Sequence, residues 1–221
     1  MRVIGIDENG LGPLLGPLVV TGVAFDASGY DRDAFWTMAG PDLPAADSKL
    51  LWDRHRPAAG EGAVRRWLAL FRAEAGDHAA LLRSIGLPPP LPLPCTAIPA
   101  CCAPSTEPLP RWEAGGRGLS LTVWDRFDRA RVKPAGIRAF ALCPGAFNRS
   151  LETGHGNKLR LDCELMLDVL AALAPAAPGE ETLALLGKVG STRRYGPWLE
   201  AVFPDGFETL DELPERSRYR V

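Results

Sequence analysis

Residues 3–17, VIGIDENGLGPLLGP, contain a short aliphatic run that ends in two adjacent acids, Asp7 and Glu8, followed by a connection rich in glycine and proline. Residues 2–6 are typical of a buried strand, and residues 18–25, LVVTGVAF, predict a second strand after the connection. The pattern therefore predicts a strand whose end carries two carboxylates at one edge of a sheet.

Helix and strand patterns alternate in the rest of the chain. Apolar residues at helical spacing predict helices over residues 61–75 and 157–173, and a shorter helix is expected over 196–203. The residues expected on the two long apolar faces are Val64, Trp67, Leu68, Phe71 and Ala75, then Leu159, Cys163, Met166, Leu170 and Leu173. Strands are expected at residues 120–123, 137–142 and 182–186, with a turn at Pro144 and Gly145. This order predicts an α/β fold in which helices flank a mixed sheet.

The length of 221 residues suits one domain, 1–221, with a core of ordinary size. Prolines recur from residue 86 to about 118 at intervals that exclude a helix or a central strand. This Pro/Cys-rich segment, 86–118, is expected to be an extended insertion. Its cysteines, Cys95, Cys101 and Cys102, lack the Cys-x-x-Cys spacing that zinc sites favour.

Composition limits the classes of function. A hydrophobic fraction of 46 % with 24 % charged residues is typical of a globular protein. The net charge of −2 provides no overall basic field, so a nucleic-acid partner requires a local basic patch. The 5 cysteines, an odd number, indicate reduced thiols. The start of the chain reaches acids too early to leave the apolar core of a signal peptide, and the longest apolar stretch, residues 13–25, is too short and too rich in glycine and proline to span a membrane. We expect a cytoplasmic protein without membrane contact, and nothing in the sequence indicates its oligomeric state.

The acid pair has two interpretations. Asp7 and Glu8 lie where a strand meets a loop, so both carboxylates can point into one cleft and share hard cations such as Mg²⁺ through their oxygens. Gly10 and Gly12 would let the backbone approach a sugar or phosphate closely. The alternative is a solvated acidic turn without a ligand, since such turns are common.

A second motif, ADSKL at residues 46–50, places Ser48 beside Lys49 at an expected loop-to-helix junction, which either caps a helix or binds a phosphate. Together with the pattern G-I-D-E-x-G-x-G-P-x-x-G-P-L-V-V that starts at Gly5, it resembles the N-terminal half of the ribonuclease HII/HIII family. The resemblance covers residues 3–25 and 46–51, and it continues more loosely to residue 173.

This resemblance implies an RNase H-like fold and cleavage of the RNA strand in RNA/DNA hybrids or ribonucleotide-containing duplexes, with Mg²⁺ or Mn²⁺ as cofactor. Reading the ribose 2′-hydroxyl is how such a protein distinguishes RNA from DNA. The implied roles are metal binding and catalysis for Asp7 and Glu8, ribose recognition for the backbone of Gly10, Leu11 and Gly12, and phosphate contact for Ser48 and Lys49.

The chain departs from the family pattern at three places. Leu11 stands where the family has arginine, and Gly187-Lys188 follows the strand whose end carries the family's third acid. The family's fourth acid lies further on, before a segment that would follow Val221, so the domain is expected to be incomplete at its C-terminus. Other acids are present, but the sequence does not place any of them at the site: Asp47, Asp162, Glu164, Asp205 and Asp211. Of these, Glu164 is expected to pair with Arg160 one helical turn away.

Residues 187–195, GKVGSTRRY, form the most nucleic-acid-like segment outside the motifs. Lys188, Arg193 and Arg194 are candidates for phosphate contacts, and Tyr195 for stacking on a base or sugar. A solvated charged loop is the competing interpretation.

Two other functions compete with the nuclease. A catalytically impaired RNase H-like protein that binds nucleic acid would keep the recognition loop without a complete set of carboxylates. A phosphotransferase of the sugar-kinase type also holds phosphate near an acid at a strand end, but 221 residues are too few for its two domains.

Overall fold

The computed structural model describes residues 1–9, 17–40, 43, 45, 51, 55, 57–73, 76–87, 107–109, 121–155, 157–174, 181–204, 206–214 and 217–220. The strands, in chain order, are β1 Arg2–Glu8, β2 Leu18–Ala27, β3 Val132–Leu142, β4 Thr182–Leu186, β5 Glu208–Glu212 and β6 Ser217–Arg220. The α-helices are α1 Arg32–Ala39, α2 Pro57–Leu70, α3 His78–Ile85, α4 Leu121–Arg129, α5 Pro144–Ser150, α6 Lys158–Leu173 and α7 Gly196–Val202. A π-helical turn, Leu151–His155, joins α5 to α6.

Four of the described strands form a mixed sheet in the order β3-β2-β1-β4. Strand β1 is central and pairs antiparallel with β2 and parallel with β4. The register places Ile6 opposite Gly22 on one side and Leu186 on the other, so the acidic end of β1 lies beside the end of β4. The predicted α/β class with helices flanking a mixed sheet is confirmed at this level. Strands β5 and β6 form a separate antiparallel hairpin, which the sequence patterns did not predict.

Helix α6 packs on one face of the sheet, and a glycine sets how closely it approaches. A Cβ at Gly22 would lie 2.5 Å from Val169 Cγ1 and 2.7 Å from Leu173 Cδ1, so any larger residue would push the helix away. The core on this side joins side chains of β1, β2, β3 and α6; those exposed by 1 % or less are Ile4, Val20, Ala24, Leu142, Leu165, Met166, Leu167 and Val169.

The opposite face is covered by helices that come earlier in the chain. Phe25 lies at the centre of this second core, with its ring 5.2 Å from Phe71 and 6.0 Å from Phe127, between ring centroids. Phe35 and Trp67 contact the same ring edge-on. Aromatic pairs of this kind stabilise a core beyond the area that they bury. Helices therefore cover both faces of the sheet.

Most of the predicted elements are confirmed. The observed strands β1, β2, β3 and β4 contain or match the expected segments, and β4 has the predicted bounds. Helix α6 begins after Asn157, whose Oδ1 accepts a hydrogen bond from the Leu159 backbone N–H at 2.9 Å. Cys163 is buried in its apolar face as expected, and Arg160 pairs with Glu164 at 2.7 Å.

Other sequence predictions were wrong. Residues 121–123 belong to helix α4 and not to a strand, because Val123 and Phe127, four residues apart, bury one helical face. Pro144 starts helix α5 and not only a turn, since proline suits the first helical position. Helix α2 begins at Pro57, earlier than expected, and Val64 is 57 % exposed and therefore absent from the apolar face.

Several predictions concern residues that the structure does not describe. The insertion over 86–118 is described only at residues 86, 87 and 107–109, and its three cysteines lie outside the described residues. The same is true of Ala75 and of the segment 46–50. Within the described part of the chain, none of the helices has both the length and the apolar character needed to cross a lipid bilayer.

Candidate functional site

Asp7 and Glu8 are the last two residues of β1, and the neighbouring Asn9 fixes the strand end that presents them. The Asn9 side chain donates from Nδ2 to the Pro17 carbonyl at 3.2 Å and accepts from the Val19 backbone N–H at 2.9 Å. Its own N–H donates to the Val19 carbonyl at 3.0 Å. These bonds close the connection between β1 and β2, so the acid pair is anchored to the sheet rather than placed on a free turn.

The end of β4 lies directly beside the acid pair. The Gly187 N–H donates to the Ile6 carbonyl at 2.9 Å, which extends the pairing of β4 with β1 by one residue. A Cβ at Gly187 would overlap Asp7 Oδ1 and lie 3.5 Å from Glu8 Oε2. The space that a side chain at position 187 would occupy is therefore filled by the carboxylate of Asp7, and both acids meet at this glycine.

A third acid approaches from helix α6. Asp162 is fully buried, with 0 % of its surface exposed. Among the described residues, neither of its carboxylate oxygens has a hydrogen-bond partner. Because the charges of Glu8 and Asp7 act on it, this buried carboxyl group lies near the end of β1, where the sequence predicted only Asp7 and Glu8.

Electrostatics link the three acids. Burial raises the pKa of Asp162 to about 7, and repulsion by the charges of Glu8 and then Asp7 contributes to the shift. Burial also raises the pKa of Glu8, a hydrogen bond within its own residue acts in the opposite direction, and a hydrogen bond and repulsion from Asp7 raise it further. The site therefore has a negative potential that favours the uptake of a cation or a proton.

Sequence reasoning missed Asp162, although one signal was present. Asp162 shares helical spacing with the buried residues Leu165, Met166 and Val169, and Val169 faces the sheet at Gly22. An acid in the otherwise apolar, sheet-facing row of a helix is unusual, because an unpaired charge in a core is costly. The helical pattern was enough to identify Asp162 as an unusual buried acid. It could not show that Asp162 lies close to Asp7 in space.

The basic segment 187–195 folds back on the protein. Lys188 Nζ donates to the Pro214 carbonyl at 2.8 Å, and the Arg193 carbonyl accepts from the Ser217 hydroxyl at 2.5 Å. Arg194, whose side chain is 86 % exposed, lies 3.6 Å from a Glu212 carboxylate oxygen. The three predicted cationic residues are thus brought together with the β5–β6 hairpin, on the side of the acid pair where β4 ends.

Tyr195 is held on several sides. Its hydroxyl accepts from the Val189 N–H at 3.2 Å and donates to the Thr192 carbonyl at 3.2 Å. Its ring contacts Trp198 and Tyr219 edge-on, at centroid distances of 5.6 and 6.5 Å. In this arrangement Tyr195 organises its own loop.

The remaining predicted site residues, Gly10, Leu11, Gly12, Ser48 and Lys49, lie outside the described residues. In the part of the chain that is described, no group of three or more His, Cys, Asp or Glu side chains is arranged so that it could hold a metal ion as it stands. Of the predicted site residues, the structure therefore describes the acid pair and the basic segment.

Comparisons with known proteins found no relative. A scan against protein-family models, a search of curated proteins and a search of solved structures each returned no match to this chain.

Proposed function

We propose that the chain is a divalent-metal-dependent endonuclease of the ribonuclease HII type, with an RNase H-like fold. Its substrate would be the RNA strand of an RNA/DNA hybrid, or a duplex that contains a ribonucleotide, and its location would be cytoplasmic. The observation that carries the proposal is the position of Asp7 and Glu8: two adjacent carboxylates at the end of the central strand, anchored by Asn9, with the buried Asp162 within electrostatic reach.

The residues fit a hard divalent cation. A set of carboxylate oxygens is the type of donor that Mg²⁺ and Mn²⁺ prefer, and the oxygens of Asp162 have no partner among the described residues. Like charges repel, so a bound cation would reduce the repulsion among these acids. When bound, the metal would activate water and stabilise the oxygens of an in-line displacement at phosphorus.

The residues of the chain would have separate roles in binding the substrate. Asp7 is exposed and Glu8 is half-buried, so the pair is open to a substrate on one side and held by the fold on the other. The backbone of Gly10, Leu11 and Gly12 would read the 2′-hydroxyl, as the family resemblance implies. Ser48 and Lys49, and the cationic residues of segment 187–195, would contact phosphates.

A cleavage assay tests this proposal. Purified full-length protein is incubated with an RNA/DNA hybrid and, separately, with a duplex carrying one ribonucleotide, in Mg²⁺ or Mn²⁺. We expect products with 5′-phosphate and 3′-hydroxyl ends, and a loss of rate of about a hundredfold or more in Asp7→Asn, on the scale of removing a group that acts in the transition state.

The matched control is Asp168→Asn, which removes an exposed acid from helix α6 and should cleave like the wild type. The nuclease proposal fails if neither substrate is cleaved with either metal. It also fails if Asp7→Asn cleaves at the wild-type rate, because the activity would then belong to another site or to a contaminant.

A second candidate function is a hybrid-binding protein without catalysis. It is favoured by Gly187-Lys188, which supplies a cation where the ribonuclease HII pattern has an acid. Binding measured with and without a chelator separates the two: a pure binder holds the hybrid equally well in both conditions and leaves it intact in Mg²⁺.

A further inference from the structure

We propose that Asp162 supplies the third carboxylate of a divalent-cation site with Asp7 and Glu8, in place of an acid at the end of β4. The inference deepens the proposed function, on which it rests for the role of the ion. The binding of the ion itself is measured independently of any cleavage.

Burial is the first observation that supports this role. A carboxyl group with no exposed surface and no described partner loses its hydration without compensation, which makes a purely structural role at this position unfavourable. The neighbours of Asp162 in the same helical row, Leu165 and Met166, are apolar and fully buried. An apolar side chain at position 162 would therefore stabilise this core better than an acid does. A ligand that binds carboxylates would remove the penalty.

Placement is the second observation. Side chains alternate along β1, so Glu8 belongs to the face that carries Ile4 and Ile6, on which helix α6 packs. Asp162 lies in the row of α6 that faces this sheet, between Val169, which packs at Gly22, and Leu159, whose Cδ2 would lie 2.9 Å from a Cβ at Gly190 just after β4. The charges of Glu8 and Asp7 act on it there. The third acid can therefore act on the pair from the helix side.

The geometry at Gly187 explains why a carboxylate from β4 is not used. Because a Cβ at this position would overlap Asp7 Oδ1, an acid there would displace one of the two strand carboxylates. Glycine at 187 and aspartate at 162 are thus complementary: the strand end leaves room for Asp7, and the helix provides the missing negative charge.

Binding of Mn²⁺ tests the assignment. The full-length wild type, Asp162→Asn and the control Asp168→Asn are titrated with MnCl₂, with free Mn²⁺ followed by its electron paramagnetic resonance signal. We expect the wild type and Asp168→Asn to bind alike, and Asp162→Asn to bind at least about tenfold more weakly, since loss of a ligand's hydrogen-bonding partner alone causes that much. Thermal unfolding of the same proteins provides a second readout. In a chelator, Asp162→Asn should melt at the same temperature as the wild type or above it, and it should gain less from added Mn²⁺.

Each outcome has a distinct meaning. Wild-type affinity in Asp162→Asn overturns the assignment and leaves Asp162 as a buried acid without a ligand role, and so does a wild type that binds no Mn²⁺. Mn²⁺ binding that depends on Asp162, in a protein that cleaves neither duplex, supports the cation site and rejects the nuclease. Cleavage that persists unchanged in Asp162→Asn supports the nuclease and rejects the role of Asp162.

Discussion

The two regions that meet at the end of β4 differ in how their polar groups are satisfied. At the acid site, Asp162 is buried with no hydrogen-bond partner among the described residues, and Asp7 and Glu8 repel it. In segment 187–195 and the β5–β6 hairpin, the polar groups bond to one another: Tyr219 accepts from the Tyr195 N–H at 2.9 Å and donates to Glu212 at 2.5 Å.

This difference indicates which region is suited to bind a ligand and which region stabilises the fold. Polar groups that are bonded within the protein stabilise the folded state, whereas buried groups left without partners destabilise it and retain their capacity for a ligand. The acid site is therefore the better candidate for chemistry, and the hairpin the better candidate for holding the loop that follows Gly187. Three variants test this contrast.

Gly187→Ala should have the largest effect, and it acts on the acid site. The added methyl group overlaps Asp7 Oδ1, so the carboxylate must turn away from its present position. We expect Mn²⁺ affinity to fall by about tenfold, the scale reported for disturbed ligand orientation. The backbone of Gly187 lies outside the left-handed region, so alanine should cause little backbone strain and the melting temperature should change little.

The control for this substitution is Gly29→Ala, because a Cβ at Gly29 meets no atom within 4 Å. Unchanged Mn²⁺ affinity in Gly187→Ala would show that the position of Asp7 beside β4 does not matter for binding, and the acid site would lose its geometric basis.

Tyr219→Phe tests the supporting region. Removing the hydroxyl leaves the Tyr195 N–H and the Glu212 carboxylate without this partner, so the free energy of unfolding should fall by about 1–2 kcal/mol. Denaturant unfolding measures the change, and Tyr30→Phe, at a 38 % exposed tyrosine, serves as the control. If Tyr219→Phe is as stable as wild type, the hairpin bonds contribute nothing net, and the contrast between the regions weakens.

The smallest effect is expected from replacing both Arg193 and Arg194 by alanine. If these side chains contact phosphates, affinity for an RNA/DNA hybrid in a chelator should fall, and the slope of log K against log salt should flatten by about one to two units. The ion pair of Arg194 with Glu212 competes with phosphate contact, which keeps the effect small. The control replaces Arg32 and Arg83, two exposed arginines on other helices, by alanine. An identical salt slope in both double variants would remove Arg193 and Arg194 from the proposed interface.

Local patterns were sufficient for most of the sheet and for helix α6. Strands β1, β2 and β4 are aliphatic runs, and residues 157–173 have apolar side chains at helical spacing. Both patterns reflect the burial of a face or of a whole segment, and such burial can be recognised from residues that are close together in the sequence. For a short amphipathic segment the local pattern was not sufficient to predict the secondary structure. Residues 121–123 have a strand-like composition, but they form a helix that buries Val123 and Phe127 on one face.

The sequence by itself determined the acid pair, because Asp7 and Glu8 are adjacent and end a strand that its own residues specify. Only the tertiary structure decided that Asp162 joins them and that Gly187 leaves them room, since both depend on α6 packing across β1 and on β4 pairing beside it. Electrostatic interaction depends on distance in space, and residues far apart in the chain reveal that distance only after the sheet and the helix have packed.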